Sequence, residues 1–458
     1  MQLNQNLNEN SKKNVKQKDK SKKGKIGKII AHAALSLTCV VTSVAHAQGD
    51  KPLESKGYFS SVRNWADWSG EVGFLGYSES DGRVQALEPA ILLNAEFEGE
   101  KVWSFKLVYD SLTGSSPNGA LASDQPQTFT SPSGNANYQI AAGELPLYDQ
   151  FIDTRINVTS SWSQPITRLI KGSVGVNLSN EYDYLSMGVN GSLTKETESK
   201  NTSFSLGLSY TSDTISAVGG TPVPLADMTP SGTAQNKTDG DESKTTIDVL
   251  LGMSQIMSRT WIVQANLSVG IIDGYSNDPY KLVTIYDDVT GAALGDPLSY
   301  IFESRPDSRM KQSFYLGSKK QINLGILSTA YRYYTDDWGI DSHTLDMALN
   351  FKLNEKWRLE PSIRYYSQSG ADFFRYGLGA NEVRPQNVTA DTRLGDLTAI
   401  TPGLKIMRKL ENDKELSFLL QYYMQTGDSS PSTAVGSQVG QDLFPDLNAL
   451  ILQIIYSF

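Results

Sequence analysis

The chain has 458 residues, a formal charge of −9, one cysteine and three histidines. Its mean hydropathy is −0.34. No run after residue 47 approaches the ~20 apolar residues of a membrane helix, so a membrane location would require strands that alternate apolar and polar residues.

At the N-terminus nine lysines lie between Lys12 and Lys28. An apolar run, 29–44, follows, and Ala45-His46-Ala47 ends it. This is the order of a secretory signal peptide, so residues 1–47 are expected to be cleaved after Ala47. Cleavage would remove nine lysines and the acids Glu9 and Asp19, taking the formal charge from −9 to −16. That balance argues against a nucleic-acid partner. Cleavage would also remove Cys39, His32 and His46, leaving His343 alone. Disulfides, attached haem, iron–sulfur clusters and Cys/His zinc sites are then excluded, and no cofactor or metal is expected.

Residues 48–69 read as a polar periplasmic lead-in carrying Trp65 and Trp68, and 70–458 as the folded domain. About sixteen amphipathic strands are predicted there: 71–78, 86–97, 102–110, 153–162, 167–179, 184–194, 201–211, 245–257, 260–273, 309–318, 321–334, 342–354, 357–367, 397–410, 414–426 and 448–458. Phe204, Leu206, Leu208 and Tyr210 alternate with Ser203, Ser205, Gly207 and Ser209. Leu345, Met347, Leu349 and Phe351 alternate with Thr344, Asp346 and Asn350. A strand shows alternate residues to opposite faces. Strand 321–334 fits less well, because Ile326 and Leu327 are adjacent and Arg332 falls out of step, so a bulge is expected there.

Alternation by itself suits a soluble sandwich as well as a membrane barrel. The connections and the aromatic residues decide between them. One end has short turns at 98–101, 163–166, 195–200, 258–259, 319–320, 354–356 and 411–413. The long connections 111–152, 212–244, 274–308, 368–396 and 427–447 fall at the other, with shorter ones at 79–85, 180–183 and 335–341. Trp103, Trp162, Trp261 and Trp357 lie on the apolar face beside short turns, and Tyr109, Tyr210, Tyr365 and Tyr422 lie on it at the opposite ends. Two aromatic girdles around an aliphatic band, with one-sided loop lengths, predict an all-β transmembrane antiparallel barrel of about sixteen strands. The chain ends on an apolar face closed by Tyr456 and Phe458, which resembles the assembly signal of outer-membrane barrels.

On this reading Lys106, Arg155, Asp248, Lys311, Asp346, Lys352, Arg358, Glu360, Arg364 and Lys405 face inward. They either line a solute-selecting pore or form ion pairs in a partly plugged lumen. Glu303, Arg305, Asp307 and Arg309 alternate in sign and are expected to form a loop-pinning ion-pair network. Asp336, Asp337 and Asp341 read as a solvated acidic turn, with a bridging calcium ion as the other reading. His343 beside Ser342 is too little to define a catalytic dyad.

Longer motifs occupy the loops and strand ends: 110–120, 127–134, Glu303 to Arg309, Tyr331 to Thr344, Arg364-Tyr365-Tyr366 and Ala371 to Phe374. Together they resemble the family called domain of unknown function 3570. The resemblance spans most of the chain after residue 47. It implies a Gram-negative outer-membrane barrel that works beside periplasmic thioredoxin-like or flavin-transfer proteins, and it supplies no catalytic residues. The expected function is a porin-like channel for small solutes or a barrel scaffold for a partner, not an enzyme. The alternatives are a sheath or assembly partner for an electron-transfer or flavin-linked system and, lower, a barrel-embedded hydrolase. The expected contacts are outer-membrane lipid, the barrel-assembly machinery, and a solute or protein partner that the sequence does not name.

Overall fold

A computed structural model describes residues 66–458 except residue 294. The signal peptide expected over 1–47, and residues 48–65 of the expected lead-in, lie outside the described residues.

Sixteen strands close into one antiparallel barrel. They are β1 (Asp67–Glu79), β2 (Gln85–Phe97), β3 (Lys101–Pro117), β4 (Leu147–Pro165), β5 (Ile170–Asn180), β6 (Tyr184–Glu196), β7 (Thr202–Ile215) and β8 (Glu242–Ser258). Continuing round the ring come β9 (Trp261–Gly274), β10 (Ser308–Ile322), β11 (Gly325–Asp336), β12 (Asp341–Lys352), β13 (Trp357–Gln368), β14 (Leu397–Lys409), β15 (Glu415–Gly427) and β16 (Leu447–Ser457). All sixteen predicted strands are present. Several run longer than their apolar alternation, because polar residues at their ends keep pairing beyond the amphipathic stretch.

The turn after β10 falls at 323–324, not at 319–320, and the bulge expected in 321–334 is absent: β11 pairs with both neighbours without a register shift. Leu327, Thr329, Tyr331 and Tyr333 share one face, and Arg332 belongs to the other, 5.7 Å from the Tyr315 ring centroid. Register shifts occur instead at 114–116 in β3 and 256–258 in β8.

The faces follow from exposure. Side chains on the concave side of a closed sheet converge and shield one another, whereas those on the convex side splay apart. Val174, Val176 and Leu178 are exposed by 62%, 54% and 45%, while Gly175 between them and Ser179 after them are buried. The same apolar face recurs from β1 (Val72, Phe74) to β16 (Leu450, Leu452) and is the outside. Tyr109, Tyr210, Tyr365 and Tyr422 lie on it toward the long-loop end, and all four are exposed. Near the short turns Trp103 stacks on Phe105, Lys320 lies 5.2 Å over Trp261, and Arg408 lies 5.3 Å over Trp357. An aliphatic outer band between two aromatic rings, one with cations over it, matches a bilayer core between its two interfaces.

Closure joins β1 to β16, with Val72 opposite Tyr456 and Phe74 opposite Ile454. Beyond the last strand residue, Phe458 and Gly70 exchange two backbone hydrogen bonds of 2.9 Å each. The Phe458 ring stacks on Tyr456 at 5.9 Å. Deleting Phe458 removes both seam bonds and the ring, so folded protein recovered from the membrane should fall sharply. Heat-modifiable mobility on gels reads this out, and unchanged folded yield would refute the assembly role of Tyr456 and Phe458.

Candidate functional site

The inner face carries most of the polar side chains of the strands. From β4 to β9 it is mainly small and uncharged: Asn157, Thr159, Asn177, Ser173, Ser192, Thr194 and Ser205 hydrogen-bond one another across strands. The remaining wall is charged, as are Arg155 of β4 and Asp248 of β8, and all ten residues predicted to face the lumen lie on this inner face. Most are paired. Arg155 donates to Asp110 at 2.8 Å, Lys311 lies 3.7 Å from Asp248, and Arg364 donates to Asp346 at 2.6 Å. Arg358 contacts Glu415, and Asn350 donates to Glu360 at 2.8 Å. Lys405 is buried among the carboxylates of Glu360, Glu415 and Glu71. Lys352 sits opposite Arg358, and Lys106 opposite Leu92. Pairing offsets the desolvation that lone charges would suffer on this wall. The Arg364 and Asp346 side chains are nevertheless 46% and 38% exposed. On a concave face that exposure opens the pair toward the lumen.

One mouth is covered. Loops 118–146, 216–241, 275–307, 369–396 and 428–446 all leave the same end of the barrel. Loop 275–307 is the hub. Its Leu282 amide donates to Asn118 O, its Phe302 carbonyl accepts from Leu225, its Ser304 carbonyl accepts from Val388, and its Thr290 carbonyl accepts from Ser437. Those four partners come from the four other loops, which spring from strands spread around the ring. Contacts among them therefore cross the opening. The backbones of loops 275–307 and 428–446 approach so closely at Gly291 and Gly436 that a Cβ at either would overlap the other loop's main chain. Both glycines have positive φ, which other residues rarely adopt.

The cap has its own apolar cores. One packs Phe129, Tyr300, Phe302, Leu282 and Met228 together, a second Val283, Ile301, Leu378 and Val388, and a third Trp338, Ile340, Phe373 and Leu394. Segments 300–302, 282–286 and 378–379 form a three-stranded sheet within it. The apolar runs Leu282-Val283-Thr284-Ile285-Tyr286 and Tyr300-Ile301-Phe302 are the sequence signal for this cap, and loop length alone conceals it. A crevice of about 40 Å³ between loops 118–146, 369–396 and 428–446 has room for about one water.

The hub also carries an ion network, buried at Glu303, Arg305 and Asp391 and reaching the surface at Arg393. Arg305 bridges Glu303, at 2.7 Å, and Asp391, at 2.9 Å. Arg393 joins Asp391 at 2.6 Å to Asp278 at 2.7 Å. Thr389 and the Asp278 amide also donate to Glu303. Burial raises the Glu303 carboxyl while Arg305 pulls it down. Burial acts upward on Asp391 too, but the bonded Arg393 guanidinium holds it well below the usual carboxylate range. The network expected from Glu303, Arg305, Asp307 and Arg309 is therefore two sites. Arg309 leaves it, pairing with Asp336 at 2.5 Å and lying 4.3 Å over Trp338, because β10 turns its side chain toward β11. Asp307 contributes its backbone carbonyl to Gly274. Asp278, Asp391 and Arg393 complete the network from distant parts of the chain.

The acidic turn is occupied internally. Asp336 accepts from Arg309, Tyr334 and the amides of Trp338 and Ile340, Asp337 accepts from the Met310 amide, and Asp341 accepts from Tyr333. His343 faces outward, its Nδ1 2.8 Å from the Tyr331 hydroxyl. Ser342, its neighbour on the strand, faces inward and is buried, so the two cannot act on one substrate atom.

Among solved structures the chain is similar to CdiB from Acinetobacter baumannii, with 8% identity and a TM-score of 0.42, over 85% of this chain and 60% of that one. It is similar to the siderophore receptor PirA from Acinetobacter baumannii, with 10% identity and a TM-score of 0.39, over 85% of this chain and 59% of that one. A bacterial polysaccharide outer membrane secretin gives 8% identity and a TM-score of 0.41, over 87% of this chain and 99% of that one. The chain thus spans only about three fifths of the first two, and similarity at this level says nothing of ligand or activity. No curated protein matches the chain. A family model matches residues 28–458, and the chain belongs to that family, described as protein of unknown function (DUF3570).

Proposed function

We propose that this protein is a gated passage for small polar solutes across the outer membrane of a Gram-negative bacterium, exported by a cleaved signal peptide over 1–47 and without catalytic chemistry of its own. The observation that carries the reading is the charge-paired inner wall beneath a folded cap, with Arg364 and Asp346 paired yet exposed on the lumen side. Paired charges in lumen water admit polar solutes, and a cap with its own apolar cores acts as a gate. A barrel serving only as a scaffold has no need of exposed ion pairs at mid-height.

Planar-bilayer conductance tests this. The purified protein should show small, infrequent openings, and Arg305→Met, which loosens the cap, should show larger and longer ohmic steps. Silence from both proteins would overturn the passage and favour a scaffold for a periplasmic or surface partner.

A further inference from the structure

A repeat runs across four strands that point toward the cap. Tyr333-Tyr334-Thr335-Asp336 ends β11, Tyr365-Tyr366-Ser367-Gln368 ends β13, and Tyr422-Tyr423-Met424-Gln425 lies near the end of β15. Tyr77-Ser78-Glu79 ends β1 without the doubled tyrosine. In each doubled pair the first ring faces the membrane, where an amphipathic aromatic is stable. Anchoring in lipid does not explain the second ring, which faces the lumen.

The four inner tyrosines are held alike. Tyr334 donates to Asp336 at 2.7 Å, Tyr366 to Gln368 at 2.6 Å, Tyr423 to Gln425 at 2.7 Å and Tyr77 to Glu79 at 2.8 Å. Each acceptor is two residues ahead on the same face, so the wall itself fixes the ring and satisfies its hydroxyl. Small residues lie opposite them on the intervening strands: Ser342 beside Tyr334, Thr344 and Ala399 beside Tyr366, and Ala449 beside Tyr423. Ser342, Ala399 and Ala449 are buried, while the rings stay partly exposed. The result is an arc of pinned aromatic surface just under the cap, in which Tyr334 also packs against the cap core of Trp338 and Ile340. Its acidic acceptors are already matched, Asp336 by Arg309 and Glu79 by Arg83.

We propose that Tyr334, Tyr366, Tyr423 and Tyr77 form a stacking platform for a neutral saccharide in the lumen, which rests on the reading of the barrel as a solute passage. The apolar C–H face of a sugar ring packs on an aromatic face, and its hydroxyls both donate and accept. The amide of Gln425 beside the arc, and the hydroxyls and amides of the mainly uncharged wall of β4 to β9 across the lumen, supply such partners. Local matching of the carboxylates removes the main attraction for a cationic solute. The Gln368 amide also donates to the Arg393 and Gly395 carbonyls of the cap, at 3.0 and 2.8 Å, so the platform touches the gate.

The test is isothermal titration of the detergent-folded full chain with maltohexaose, repeated on Arg305→Met so that a shut mouth cannot hide the site. Saturable binding on the order of millimolar is expected. Tyr366→Leu and Tyr423→Leu, which keep bulk but remove the ring, should each weaken it about three- to tenfold, and Tyr366→Phe and Tyr423→Phe should weaken it less. No binding to either protein, binding indifferent to both leucine variants, or tyrosine-dependent binding of choline instead of sugar would overturn the platform. A protein that conducts ions but does not bind the sugar loses the platform and keeps the passage. One that binds through the tyrosines but never conducts keeps the platform and loses the passage.

Discussion

Arg305→Met is expected to open the cap while leaving the barrel folded. The guanidinium is the shared partner of Glu303 and Asp391, and each of those carboxylates is 2% exposed. Removing it leaves Glu303 with only the Thr389 hydroxyl and the Asp278 amide, neither of which carries a charge. Breaking one partner out of a buried pair costs about 3–5 kcal/mol. The cost falls on the contacts between loops 275–307 and 369–396, because Glu303 and Arg305 belong to one and Asp391 to the other. The barrel ladder is not involved. Trypsin added to intact cells should therefore cut at Arg375 or Arg384 in the variant and spare the wild type, while both keep heat-modifiable mobility. Glu303→Gln combined with Arg305→Met removes the stranded charge as well and should recover part of the protection. Equal protease resistance in wild type and Arg305→Met would show that the apolar cores hold the cap by themselves.

The second large effect concerns the faces of β12. Met347 is 43% exposed on the outer face near the middle of the strand. Arginine there would sit in hydrocarbon near the midplane and should cost roughly 2–4 kcal/mol of folding stability in lipid. Asn350→Arg should cost much less, since Asn350 faces inward and already donates to Glu360, which can accept from a guanidinium. Urea unfolding in bilayers reads the difference. Residues 66–458 contain no cysteine, so single cysteines give a second measurement on a silent background. Cysteine at 347 should react with a lipid-soluble thiol reagent and resist a charged one. Cysteine at 346 should show the opposite preference. Reversed labelling would invert the faces and remove both the membrane barrel and every statement about its lumen.

The barrel was legible in the sequence because its determinants are local. Whether a residue faces lipid depends on its parity within one strand, so Leu206 and Ser205 declare their faces without reference to other strands. Loop lengths and the positions of Trp103, Trp162, Trp261 and Trp357 then orient every strand to the same two interfaces. Parity also placed the ten charged residues on the inner wall. It could not say which were paired, because partners such as Arg358 and Glu415 meet only once register across two further strands is set. The misplaced turn after β10 has a similar cause. Lys319 and Lys320 look like turn residues, but they continue the ladder opposite Ser328 and Leu327, and Gly325, at φ +154°, starts the next strand.

The apolar runs at 282–286 and 300–302 mark the cap in the sequence, but which loops pack on them was decided by tertiary structure. The cap core joins Phe129, Met228, Leu282 and Tyr300, residues from three loops, and no periodicity links them. Arg305 finds Asp391 86 positions later and Arg393 finds Asp278 115 positions earlier, so the sign pattern of Glu303 to Arg309 pointed to the wrong partners for Arg309. Arrangements of this kind are set by closing the ring. Closure brings together the loop ends that the chain holds far apart, and only then can their apolar residues exclude water from one another and their charges be matched.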